Sequence, residues 1–345
     1  MNELLLRLRE HGILSAEALQ DLETRAFRVP GWLAALQGIA AWIAASMMII
    51  AFLMWFSRDF SGIYGTLLLG TALFLFYRKE RVFFAQLALA FSIAGQAMLA
   101  LAFGEDNDNL FYLIGALVAA VMTLPRSTLL HRSLCSLLAL GYLSLWVFLF
   151  SDHARLVDGL PRLELLGVLF AALSIVLWLS REIWTVHKQA VRFKALAHAA
   201  TLMSFGVMTL FCILQSLPDY DRKDLGQITT YSCGAAFLFF AVCFWLSRQL
   251  PLAQRASLGV AALLLAVAAF SAPWLLVCAS VSLVTFYACH RGWFVFSLIA
   301  AVLLVGQFYY NLELTLLAKS GVLTMSGGVL LALRLVLKNR GEKTA

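Results

Sequence analysis

About twelve apolar segments, joined by loops whose charge alternates in sign, constrain this chain more than any other feature. An apolar run of about 20 residues can cross about 30 Å of hydrocarbon as a helix. The runs fall at residues 32–56, 60–77, 82–103, 109–124, 128–150, 160–180, 195–217, 227–247, 252–270, 273–289, 292–310 and 316–337. They are continuous, whereas the strands of a membrane β-barrel alternate apolar with polar over about ten residues. Composition agrees: 62% of the residues are hydrophobic, 13% are charged and the mean hydropathy is +0.87. A water-soluble domain carries about 25% charged residues, so a soluble fold would leave too much apolar surface uncovered. The expected fold class is all-α, a polytopic transmembrane helical bundle of about twelve spans.

The charges supply a topology. Alternate loops and both ends collect 20 of the 26 Lys and Arg residues, among them Arg78, Lys79, Arg126, Arg181, Lys194, Arg248, Arg291 and Lys338. The other loops hold 11 of the 19 acids, including Glu105, Asp106, Asp219 and Asp224. Short loops rich in Lys and Arg stay cytoplasmic, so both termini are expected inside. Eleven spans would put the basic C-terminus on the wrong side. The decisive stretch is 252–289, which as one helix would be about 57 Å long, nearly twice the hydrocarbon thickness. Two spans with a turn at Ser271-Ala272-Pro273 fit better.

Three regions follow: a cytoplasmic or interfacial helical appendage at 1–31, a transmembrane domain at 32–337 and a cytoplasmic tail at 338–345. In the appendage Leu4, Leu5, Leu6 and Leu8 precede Gly12, a helix stop, and Ser15 is placed to cap a second short helix. Such a pair can lie on the inner leaflet or dock a protein partner through residues 1–29. No loop is long enough for a soluble domain. The longest connector, 181–194, is basic, contains Trp184 and reads as an interfacial helix between two sets of six spans. The pI near 9.2 needs no nucleic acid, because the basic residues sit at span ends. The bilayer is the expected partner.

The opening Leu5-x-x-Leu8-x-x-x-Gly12-Ile13-Leu14-Ser15-x-Glu17, followed by Pro30-Gly31-Trp32-Leu33 and a span with Gly38, Ala41-Trp42 and Ala44, resembles a bacterial family of uncharacterised membrane proteins. That family is known as domain of unknown function 4401, with a related family 2157. The specific likeness covers about the first fifty residues, and the remainder agrees in hydropathy and length. The resemblance implies a multi-pass protein of the bacterial inner membrane. It carries no activity and no functional residues with it.

Ionisable groups at the centre of a span are costly in lipid and are functional candidates by default. Here the span centres are almost empty of them. Gln96 lies mid-span with Gln86 on the same face, and either joins helices by hydrogen bonds or lines a solute path. Glu164 sits one turn into its span beside Arg162, as an outer-leaflet ion pair or a substrate-facing carboxylate. His198 is the most deeply placed histidine, a packing residue or a proton carrier; no His or carboxylate stands at i+3 or i+4 to make a metal site with it. Small-residue rows at Gly62-Thr66-Gly70 and Ser320-Thr324-Gly328 suit close helix packing, and Gly327-Gly328 could unwind a helix. The six cysteines form no CxxC pair and behave as small apolar residues.

No P-loop, HExxH or GxSxG motif is present, and neither catalytic residues nor a cofactor are expected. The reading is a non-enzymatic accessory or structural membrane protein. The alternative is a uniport-type permease for a small, weakly charged or lipid-like solute, lined by Gln96, Glu164 and His198.

Overall fold

A computed structural model describes residues 60–77, 82–104, 108–125, 127–149, 160–186, 189–215, 225–269 and 273–311, with scattered residues between 32 and 50 and residues 324, 328 and 331. Among the described residues every regular element is a helix. In chain order these are α1 (Ser61–Tyr77), α2 (Val82–Gly104), α3 (Asp108–Met122), α4 (Leu129–Leu149), α5 (Leu160–Leu179), α6 (Arg181–Val186), α7 (Ala190–Gln215), α8 (Leu225–Ser247), α9 (Leu252–Ala268), α10 (Pro273–Tyr287) and α11 (Arg291–Asn311). The apolar runs from 60 to 310 each became one helix. The expected pair of helices at 1–31, most of the first and last runs, and Ser271-Ala272 lie outside the described residues; α10 starts on Pro273, where a missing N–H costs a helix nothing. Among the described residues three helical stretches, Phe83–Phe103, Leu129–Val147 and Ala190–Leu210, are long and apolar enough to cross a membrane.

The connector at 181–194 is the main departure. It is not one interfacial helix: α6 has six residues, and α7 begins at Ala190, well before the apolar run. Charge marks where a helix leaves an apolar medium, not where it stops being a helix. Arg192 and Lys194 are good helix formers and occupy the first turns of α7.

The chain divides into two compact units, Met1–Ala102 and Phe103–Ala345. In the first, α1 and α2 pair antiparallel, with Gly65 against Gly95 and Gly62 against Ala102. A Cβ on Gly95 would lie 2.9 Å from the Gly65 carbonyl oxygen, so the two backbones meet where neither residue has a side chain. Buried Gly65, Leu68, Leu69 and Ala72 form the i, i+3, i+4, i+7 face. The row Gly62-Thr66-Gly70 is therefore not the packing seam, since Thr66 and Gly70 point outward and are exposed.

The second unit is built around α7, which packs along α5 and α4. Gly167 of α5 leaves room for fully buried Met208 of α7; a Cβ there would come within 2.6 Å of the Met208 Cε. Nearby, Thr201 spends its hydroxyl hydrogen on the Ala197 carbonyl at 2.7 Å. Its oxygen then accepts from Ser174 at 2.6 Å and from the Trp178 indole at 3.2 Å. A larger apolar core joins Phe170, Phe205, Met208, Phe239, Trp274 and Val277.

Polarity is arranged inside out. Ser174, Thr201, Ser280, Thr285 and Ser297 are wholly buried, whereas Phe237, Val302 and Leu303 are 75%, 71% and 68% exposed. Several inward hydroxyls bond carbonyls one turn back, as Ser280 does to Leu276 and Thr285 to Val281.

Candidate functional site

Among the described residues, several turns of the second unit that carry basic residues come together at one end of it. The Arg192 guanidinium on α7 donates to the Leu124 carbonyl at 3.1 Å, and that of Arg132 on α4 donates to Pro125 at 2.7 Å. Both therefore cap the last carbonyls after α3, where a helix terminus is electronegative. Thr128 caps the start of α4, accepting the His131 amide at 3.3 Å. Arg181, just after α5, donates to the Ala288 carbonyl in the α10–α11 turn, and Trp245 at the end of α8 packs edge-on against Tyr287 at 5.5 Å.

His198 lies at this end in an aromatic cage. Its ring centroid is 5.6 Å from Trp178, 5.3 Å from Trp293 and 5.6 Å from His290, and His290 is 5.0 Å from Trp178. His198 Nε2 and His290 Nδ1 are buried and lack a hydrogen-bond partner among the described residues. The sequence supplies no second histidine near His198 on its own helix. The fold brings one from 92 residues further on, in a turn where Cys289 takes a positive φ of 55°. Burial first, and then the charge of Lys194, hold the His290 imidazole below its ordinary range. Among the described residues no group of three or more His, Cys, Asp or Glu is placed to hold a metal ion.

Beside the cage, Arg181, Trp184, Phe193, Lys194 and His290 enclose a pocket of about 180 Å³. Trp184 of α6 stacks on Phe193 of α7, with centroids 3.5 Å apart and planes 14° from parallel, while its indole N–H donates to Ser180 at 2.7 Å. That stack folds α6 back onto α7. On its other side Phe193 borders a second hollow, an open groove of about 760 Å³ between α3, α4 and α7. The walls of this groove are Leu113, Leu117, Ala120, Leu140 and Leu143, with Gln189 and Arg192 at one end.

Of the three residues singled out from the sequence, Gln96 belongs to the first unit and Glu164 and His198 to the second. Gln96 is wholly buried in the first unit, and its amide donates to Ser92 Oγ at 3.0 Å, one turn back on its own helix. Glu164 falls in the first turns of α5, and its side chain lies outside the described residues. His198 borders the basic end of the second unit. Sequence reasoning passed over His290, Trp178 and Trp293, although a histidine flanked by Arg291 and Trp293 in a short turn was a usable signal.

An all-helical protein with apolar outer faces and inward hydroxyls has the build of a membrane protein. The chain belongs to the family described as Domain of unknown function (DUF4401), which matches residues 30–340. No curated protein and no solved structure matches it.

Proposed function

We propose that this chain is a multi-pass protein of the bacterial inner membrane, with twelve spans and both termini cytoplasmic. In that membrane it serves as a non-enzymatic accessory component that holds a lipid acyl chain in the groove between α3, α4 and α7. The observation that carries the reading is the groove itself: it is open, apolar along its walls and has Arg192 in its lining. Its volume is in the range of small-molecule sites, about 300–1,000 Å³. Large apolar residues on the outer helix faces support immersion in lipid. The gathering of basic turns at one end of the second unit supports a cytoplasmic face there.

The test is native mass spectrometry of the purified protein. Ala120→Trp, which fills the groove from an exposed wall position, should remove a co-purifying lipid that wild type retains. An unchanged lipid complement would end the groove reading. Deleting residues 1–29 tests the partner side of the proposal, and a co-purifying protein should be lost with them. A permease for a lipid-like solute is the second reading, favoured by the polar pocket next to the groove across Phe193. Lipid movement between leaflets of proteoliposomes, lost in Ala120→Trp, would select it.

A further inference from the structure

We propose that the pocket formed by Arg181, Lys194 and His290 is a binding site for a phosphate group. The inference stands independently of the groove, since it rests on other residues on the far side of Phe193.

Three groups that carry or can carry positive charge meet here from three parts of the chain: Arg181 at the start of α6, Lys194 near the start of α7 and His290 in the α10–α11 turn. None of the described lining residues is a carboxylate. Arg181 and Lys194 are exposed, so water and salt moderate their repulsion, and an anion that enters is attracted by both. Arg181 is held in place by its bond to the Ala288 carbonyl, which uses one of the five donors of a guanidinium and leaves the rest of its planar fork available. Lys194 adds a point charge that is felt at His290. His290 lines the same pocket, and a neutral imidazole has one donor and one acceptor nitrogen to offer a ligand. A fork, an ammonium and an imidazole around one small space suit a tetrahedral oxyanion carrying more than one negative charge.

The walls set the size. Trp178, Trp184 and Phe193 close the apolar sides and leave about 180 Å³, enough for one phosphate-sized group and too little for a nucleotide. The same chemistry is offered by free inorganic phosphate and by the headgroup of an acidic phospholipid. Basic pockets between transmembrane helices on the cytoplasmic side do take lipid headgroups.

The experiment is a ³¹P NMR titration of the full-length protein in an uncharged detergent, with inorganic phosphate in one arm and dihexanoyl phosphatidic acid in the other. Saturable broadening is expected in at least one arm. It should be about tenfold weaker in Lys194→Gln and recovered in Lys194→Arg, because one charged contact is lost and then restored. Lys194 is exposed, so these variants should melt like wild type at about pH 7.5; His290→Gln provides a second, independent loss. Binding of both ligands identifies a site that reads phosphate alone, and binding of phosphatidic acid only identifies a lipid headgroup site. Absence of saturation in both arms, or saturation unchanged in both Lys194→Gln and His290→Gln, overturns the proposal.

Discussion

The two hollows on either side of Phe193 are neighbours with opposite construction. The groove is about 760 Å³, open, and walled by leucines and alanines of α3, α4 and α7. The pocket is about 180 Å³ and brings two cations and an imidazole from three separate stretches, with Arg181 tied to a carbonyl 107 residues away. An apolar groove tolerates changes in its lining as long as total volume is kept, because dispersion and burial are not directional. A charged pocket does not, since each donor must sit within hydrogen-bond reach of one point. Adjacent sites on one helix can therefore differ sharply in how they respond to mutation.

Phe193→Ala is the most severe way to break that contrast, because it removes the wall between the two. The half-buried ring and its stack on Trp184 are lost, at a cost of about 3 kcal/mol, the lower end for a Phe truncation. Thermal unfolding in detergent should show the loss. Retention of separate lipid and phosphate binding at wild-type affinity would mean the ring is no partition. Arg181→Ala comes next: the Ala288 carbonyl loses a charged donor, worth about 2 kcal/mol. Phosphate binding should disappear while the groove keeps its lipid, and loss of both together would show that the hollows are one site.

The smallest effect is on pH dependence. The imidazole of His290 faces Lys194 and His198 of α7 and Arg181 of α6, and is followed in sequence by Arg291. Because its folded-state pKa lies below the ordinary value, the unfolded chain binds a proton that the folded chain resists. This group's contribution to stability is therefore complete above about pH 6.5 and declines as the pH falls through the ordinary imidazole range. Lys194→Gln should flatten the decline in a melting-temperature series from pH 7.5 to 5.5. An identical slope in the variant would remove Lys194 as a cause.

Much of this could be read in advance, and what could not has a common cause. The boundaries of α1 to α5 and α8 to α11 follow the apolar runs within a residue or two, because hydropathy along a chain is a local property. The start of α7 lies ahead of its apolar run, because Arg192 and Lys194 leave the apolar medium but remain helical. The row Gly62-Thr66-Gly70 has the right spacing for packing, yet the contact is made by Gly65 on the adjoining face. Rotation of a helix about its axis depends on its neighbour, and an apolar helix without a polar face gives little sign of it. The same holds for His198, whose partner His290 is remote in sequence.

By itself, then, the amino-acid sequence determined that the chain is helical, which stretches form the helices and at which ends of them the positive charges stand, since each follows from short-range composition. The tertiary structure decided which basic turns share an end, which glycines touch and that two histidines and two tryptophans enclose one place. Those depend on the register and rotation of helices that contact each other across a hundred residues, and side-chain packing rather than hydropathy selects them.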